Sequence, residues 1–256
     1  MAGKNTYRKP KPNPTPKIVK KASVFSYIKK LLYKAVFYFL VISIGSVVVF
    51  KFIPIPFTWT MVDQKMESIM NGEDSEMYYA WRSYSNVSRE MHLAVVAAED
   101  QLFPDHFGFD FKHMQIAYKN NLKGKKVRGA STISQQVAKN VFLWQDRSYI
   151  RKALEVYFTF LIEIIWGKQR ILEVYVNVAE MGKNTFGAEA AAQRYFDKSA
   201  KNLSRDQAAQ LAAILPSPRK WSVTKPGPYV SRRVPKITRQ MRALGGTAYI
   251  KDLRSF

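Results

Sequence analysis

Between Leu31 and Phe50 the chain reads LLYKAVFYFLVISIGSVVVF, with one charge, Lys34, near its start and Lys51 just past its end. That length approaches the ~20 apolar residues needed to cross the hydrocarbon core of a bilayer. The alternatives are a buried helix of a soluble protein, against which its uniform apolarity with no polar face is set, and a cleaved signal peptide. FKFIPIPF follows where a signal peptide would show a small-residue cleavage pattern. Residues 31–53 therefore read as a single transmembrane helix, dividing the chain into a tail, 1–30, and a globular part, 54–256. Nine Lys and Arg residues precede Leu31, so the positive-inside rule places the tail in the cytoplasm and the globular part beyond it.

The tail is rich in Pro and Lys and poor in apolar residues, too little to offset the entropy of ordering, and reads as disordered. Of the 41 basic residues, eleven fall in residues 1–51, which hold no acid; the remainder carries 30 basic and 19 acidic residues. A net charge of +22 would ordinarily suggest nucleic acid, but this topology keeps the folded part away from it. A lipid surface or a phosphate-bearing substrate suits the remaining excess better. The chain has no cysteine, which excludes disulfides and thiolate metal sites. A lone Gly45 in the anchor gives no paired-glycine motif for dimerisation.

The globular part reads as all-α, without sustained strand alternation or internal repeat. Ser88 caps a helix to about Glu99, Asp110 caps another through Tyr118, and an apolar helix runs from Ser148 to Trp166. Further helices are expected over 169–178, 188–195 and 205–215, the last behind a capping box formed by Ser204 and Gln207. The basic connector from Asn120 to Ala130 reads as a mobile loop.

The chemistry-bearing residues cluster in a few stretches. In RGASTISQQVAKN, Arg128–Asn140, Thr132 and Gln135 fit a capped helix start, whose free N–H groups suit an anion. Thr132, Gln136 and Lys139 or Asn140 recur at intervals of three and four, lining one face with donors. Glu155, four residues after Arg151, and Glu163 are set among Ile, Leu, Val, Phe and Trp, so the acids of this helix are expected to face a cleft. Glu99 and Asp100 end an apolar helix just before Pro104. Carboxylates from separate helices, Glu99 and Glu155, would suit glycosyl chemistry if they face one groove. His106 reads as fixing the turn after Pro104, and neither it nor His113 has the spacing of a helical zinc site. Ser-x-x-Lys matches at Ser26 and Ser217 lack the context of a penicillin-binding transpeptidase.

Four of these blocks, EDQLFPDHFGFD, GASTISQQVAKN, RKALEVYFTFLIE and KQRILEVYVNVAEMG, stand in an order and spacing that resembles the peptidoglycan glycosyltransferase family, with AAILPSPRKW similar to a fifth. The likeness covers about Val87–Trp221 and, with one anchor and no transpeptidase module, looks like the monofunctional biosynthetic branch. It implies a lysozyme-like helical domain with a small hydrophobic jaw subdomain that dips into the membrane. It also implies polymerisation of lipid II by inverting β-1,4 transfer, with release of undecaprenyl pyrophosphate, at the inner membrane with the catalytic domain periplasmic. By the resemblance Glu99 is the general base and Glu155 assists the pyrophosphate, with a divalent cation (magnesium or manganese) as its metal partner and no organic cofactor. Substrate-binding positions carried over are Asp100, His106, Ser131, Thr132, Gln136, Lys139, Asn140, Arg151 and Lys152. The implied partners are lipid II, the growing glycan strand, the membrane and proteins of cell division or wall synthesis. Thr159, Ile162 and Val176 depart from the family pattern as packing variations. The segment after Trp221 matches least, and its cluster Arg232, Arg233, Lys236, Arg239 and Arg242 reads as a solvated or lipid-facing basic face with no catalytic role. The alternatives are a lysozyme-like lytic transglycosylase or muramidase, and an inactive membrane-anchored scaffold.

Overall fold

The computed structural model describes residues 24–122, 131–146 and 148–253. The chain forms two units, one ending at Ser43 and one spanning Ile44–Phe256. Helix α1, Val24–Phe52, is the one described helix long and apolar enough to cross a membrane. It starts seven residues before the expected boundary at Leu31. Val24, Phe25, Tyr27 and Ile28 extend an already nucleated helix, and adding turns costs far less than starting one. The rest of the expected tail lies outside the described residues. Trp166 Nε1 donates to the Val47 carbonyl at 2.7 Å, and Arg170 Nη2 to the Phe50 and Ile53 carbonyls at 2.7 and 2.5 Å. The bond to Phe50 satisfies one of the four C-terminal carbonyls that a helix leaves without internal partners.

The second unit is built around α3, Arg89–Glu99, whose residues Met91 to Ala97 are all buried. A helix apolar on every side has to be surrounded, each such Val, Leu or Met side chain contributing about 1.5–3 kcal/mol. Helices α9, Arg205–Ile214, and α10, Pro228–Ala243, lie against it. Ala208, Ala209, Ala212 and Ala213 give α9 a face flat enough for close approach. A second layer consists of α5, Ile133–Phe142, α6, Tyr149–Ile165, and α7, Gly167–Val178. Helix α2, Trp59–Met70, α4, Phe111–Leu122, and α8, Ala188–Phe196, complete the described helices longer than a single turn or two.

The expected caps form: Ser88 Oγ accepts from Glu90 N, Asp110 Oδ1 from His113 N at 2.8 Å, and Ser204 with Gln207 makes the capping box. Helix α4 continues to Leu122, beyond the expected end at Tyr118, so Asn120–Leu122 of the expected loop are helical; 123–130 lie outside the described residues. One feature escapes period-based reading. Three very short strands form a sheet in the order β1, Tyr78–Tyr79; β3, Thr185–Phe186; β2, Glu180–Gly182. Strand β1 runs parallel to β3, and β2 antiparallel. Strands of two or three residues are too short to show alternation.

Around α4 and α6 much apolar surface stays in the open. Phe111, Met114 and Ile116 on α4 and Ile150, Val156, Phe160 and Ile164 on α6 are exposed, and Phe107 meets Phe160 edge to face at 5.8 Å. Large side chains exposed in this number suit an apolar environment.

In the core, His92 is stacked on Tyr84, ring centroids 4.1 Å apart, and neither ring nitrogen has a hydrogen-bond partner among the described residues. Burial pushes its pKa down to about 3. In the unfolded chain the value returns to ~6.5, so the unfolded state binds the extra proton between the two. The stability this group contributes is complete above the unfolded value and is lost as pH falls toward the folded one. Urea titrations are expected to show unfolding free energy falling by ~2 kcal/mol from neutral pH to about pH 5 through this group, a slope that His92→Phe removes.

Candidate active site

Glu99 is the last residue of α3. Its Oε2 accepts from Gln136 Nε2 on α5 at 3.1 Å, and Tyr175 on α7 donates its hydroxyl to Gln136 Oε1 at 3.2 Å. Burial raises the Glu99 pKa above the ordinary carboxylate range; Asp100 adds to the rise, while the Gln136 bond and the Arg233 charge oppose it. A carboxylate tuned upward is a better proton acceptor near neutral pH than an ordinary one.

Asp100 is spent on architecture. Both its oxygens meet His106 Nε2, at 2.9 and 3.0 Å, and Oδ2 accepts from the backbone N–H of Ile133 at 3.0 Å. One side chain thus joins the end of α3 to the start of α5, where a negative charge is favoured by the helix dipole. His106 holds the turn, as its position after Pro104 suggests, with Phe103 edge-on at 6.3 Å. Thr132 is buried as the N-cap of α5 in a capping box with Gln135, and its hydroxyl donates to the Gly108 carbonyl at 2.6 Å. It braces the loop from beneath and so does not line the donor face read from its spacing. Ser131 is exposed immediately before the cap, and Lys139 and Asn140 are half-buried on the last turns of α5.

The second acid sits in a different electrostatic setting. Glu155 is buried; Lys152 Nζ donates to its Oε1 at 2.5 Å and Arg151 Nη1 to its Oε2 at 3.4 Å. Lys139 joins this group: burial lowers its pKa, the Arg151 and Lys152 charges lower it further, and Glu155 acts against them. Arg151 Nε is buried with no hydrogen-bond partner among the described residues. Three cations share one acid here, leaving excess positive charge and an unused donor, the requirement of a site that receives an anion. For a resident divalent cation the fit is poor. Both Glu155 oxygens face cationic donors, and no group of three His, Asp or Glu side chains that could hold a metal gathers among the described residues.

Helix α5 links the two settings. Gln136, bonded to Glu99, and Lys139, in the field of Glu155, are three residues apart and so neighbours on one helix face. Glu163, by contrast, does not face a cleft. It is buried, its Oε1 accepting from Ser134 Oγ at 2.5 Å and Lys168 Nζ at 2.7 Å, with the ammonium 4.5 Å from the Phe103 ring centroid. Gly108 lies against this hub at φ +74°; an added Cβ would stand 2.8 Å from Thr159 Cγ2 and 3.1 Å from Glu163 Cγ.

Two residues near Glu99 were not anticipated. Arg233, grouped by sequence with the basic face of α10, instead donates Nη2 to the Ala98 carbonyl at 2.9 Å, beside Glu99. Arg232, Lys236, Arg239 and Arg242 do remain exposed. The signal was its spacing: Arg233 stands four and eight residues before the buried Ile237 and Met241, on the apolar stripe of α10. Tyr175 was concealed by looking like a core aromatic, being buried among Leu172, Val176 and Val178.

Comparison with known proteins agrees with this architecture. The family described as Transglycosylase matches residues 64–242. A biosynthetic peptidoglycan transglycosylase of Pseudomonas putida (strain F1) is 50% identical over 232 residues, covering 91% of this chain and 98% of the relative. Proteins of the same description from Pseudomonas entomophila (strain L48) and Chromohalobacter salexigens are 50% and 51% identical, over 230 and 215 residues; the alignments cover 90% and 84% of this chain and 98% and 92% of theirs. The blocks that resemble the glycosyltransferase signatures, the helical domain that aligns them and the extent of these matches lead to one conclusion: the chain belongs to the transglycosylase family.

Proposed function

We propose that this transglycosylase polymerises lipid II into linear glycan strands by inverting β-1,4 transfer, with Glu99 as general base. The observation that carries the reading is the pairing, through a single helix, of a carboxylate tuned for proton uptake with a cluster of cations. Glu99 takes the proton from the acceptor sugar's 4-hydroxyl as that oxygen bonds to the donor's anomeric carbon. The bond from that carbon to the pyrophosphate breaks on the opposite face, and undecaprenyl pyrophosphate leaves with the electron pair. Lys139, Arg151 and Lys152 stand where that charge develops, and Glu155 holds two of them in place. In this reading Ser131, exposed just before α5, and Asn140, half-buried near its end, contact the sugars. Asp100, His106 and Thr132 serve by fixing the loop and the start of α5.

The apolar span α1 supports single-pass anchoring, and the exposed apolar side chains of α4 and α6 suit a domain that rests in the bilayer surface. In this reading the amino terminus is cytoplasmic and the catalytic domain stands on the periplasmic side of the inner membrane, which the positive-inside rule supports. Purified full-length protein in detergent is expected to consume lipid II and yield lengthening glycan chains. Release of fragments from intact sacculi with no consumption of lipid II would instead establish the degradative, lysozyme-like reading.

A further inference from the structure

The hydrogen bonds at Glu99 form a directed chain. An ionised carboxylate can only accept, so the Gln136 atom facing it has to be the amide N–H. That leaves Gln136 Oε1 on the far side, where it can only accept, and the group it meets is the Tyr175 hydroxyl. Tyr175 is 2% exposed, its ring is held by the packing of α7 on α5, and its hydroxyl makes no other bond than this one among the described residues. We infer that Tyr175 is a positioning residue: its hydroxyl fixes the orientation of the Gln136 amide and thereby stabilises Glu99 in the ionised form that accepts the proton. This rests on the assignment of Glu99 as the base.

The alternative orientation shows what the hydroxyl prevents. With the amide reversed, Gln136 Oε1 would face the Glu99 carboxylate, acceptor against acceptor, and Glu99 would hold its proton to relieve the repulsion. A hydroxyl donating to Oε1 excludes that state and also polarises the amide, strengthening its donation to Glu99. Burial keeps the tyrosine pKa well above its ordinary value, with the Glu99 and Asp100 charges adding to the rise, so the phenol is a donor at every working pH.

The other groups around Glu99 do not duplicate this control. From α10, Arg233 favours the ionised form by its charge, but its guanidinium hydrogen-bonds the Ala98 carbonyl. Asp100, next in the chain, disfavours ionisation and is itself held by His106 and Ile133 N. From the short turn at Gly246–Ile250, Tyr249 donates to the Gln101 carbonyl and meets Asp105 Oδ2. On α9, Arg205 pairs with Glu90 at the opposite end of α3. Gln136 is thus the neutral donor to Glu99, and Tyr175 is what orients it.

The test is the pH dependence of kcat for lipid II polymerisation by the full chain in detergent, at saturating lipid II. Tyr175→Phe keeps the ring and deletes one oxygen. Both routes, reversal of the amide and weaker polarisation, disfavour the anion, so the acid-side limb of the profile is expected to move to higher pH by about half to one unit. Rates well above the limb should stay near those of the unaltered protein. Placing the same substitution in a Gln136→Met background should give no further movement, because the amide through which it acts is gone. A limb that Tyr175→Phe leaves in place, or one that it moves equally with and without Gln136, overturns the inference. Glu99→Gln in the same series keeps the two readings apart. If that variant polymerises normally, Glu99 is not the base; if it is inactive while Tyr175→Phe has an unaltered profile, the base stands and its positioning by Tyr175 falls.

Discussion

Glu99→Gln is expected to lower lipid II turnover by about 10²–10⁴-fold, the usual contribution of a positioned general base, while binding of lipid II persists. Shape and amide-to-carboxylate volume are kept, so the loss isolates proton acceptance. Stability should move in the opposite direction. The folded Glu99 pKa lies above its unfolded value, chiefly through burial. The stability this carboxyl contributes is therefore complete below the unfolded pKa and disappears as pH rises through the folded one. At neutral pH the protein carries the cost of a buried anion, which Gln does not impose. The thermal midpoint of Glu99→Gln should accordingly exceed that of the unaltered chain at neutral pH, and the difference should shrink as the medium is acidified. A variant that is both inactive and less stable at neutral pH would point to structural damage, and binding without turnover in a more stable protein would identify the base.

The helical architecture was legible because long helices repeat their signals. Ser88, Ser204 and Thr132 each announce a start, and α3 advertises its burial by lacking a polar face. The acids and cations of the site were legible for a related reason, since charges in apolar surroundings stand out. What they touch was less so. Asp100, His106 and Thr132 are polar residues beside the proposed base, Glu99, yet their atoms are bonded to one another's elements, a distinction set by the loop's path and invisible in spacing. Glu163 shows the same limit from the other side. It and Glu155 are eight residues apart on α6 and similarly flanked, but Glu155 meets Arg151 and Lys152 of its own helix and Glu163 meets Lys168 in the core. Sequence reads the face of a helix; the neighbour opposite that face decides what the residue does. Arg233 and Tyr175 were hidden for complementary reasons, one as a cation among exposed cations and the other as an aromatic among core residues.

The Glu163–Lys168 pair predicts the largest structural effect. Lys168 is drawn below its ordinary pKa by burial, and the charge and hydrogen bond of Glu163 act against that pull. Removing one partner leaves the other charge buried with nothing to balance it, a loss of about 3–5 kcal/mol. For a domain of this size each 1 kcal/mol lowers the thermal midpoint by roughly 2–4 °C. Glu163→Gln or Lys168→Met is therefore expected to lower it by on the order of 10 °C. Replacing both, Glu163→Gln with Lys168→Met, should recover much of the loss, since no buried charge is then unpaired, and a double-mutant cycle measures that coupling directly. Activity should fall with Glu163→Ala even where the fold survives. Ser134 in the first turn of α5 loses its acceptor, and Gly108 loses the wall at Glu163 Cγ that sets the loop Thr132 braces. Because α5 carries Gln136 and Lys139, a shift at its start displaces the contacts to both ends of the site. Additive single-variant losses, with no recovery in the double variant, would show that the two side chains act independently and that packing, not charge, holds α6 against α7.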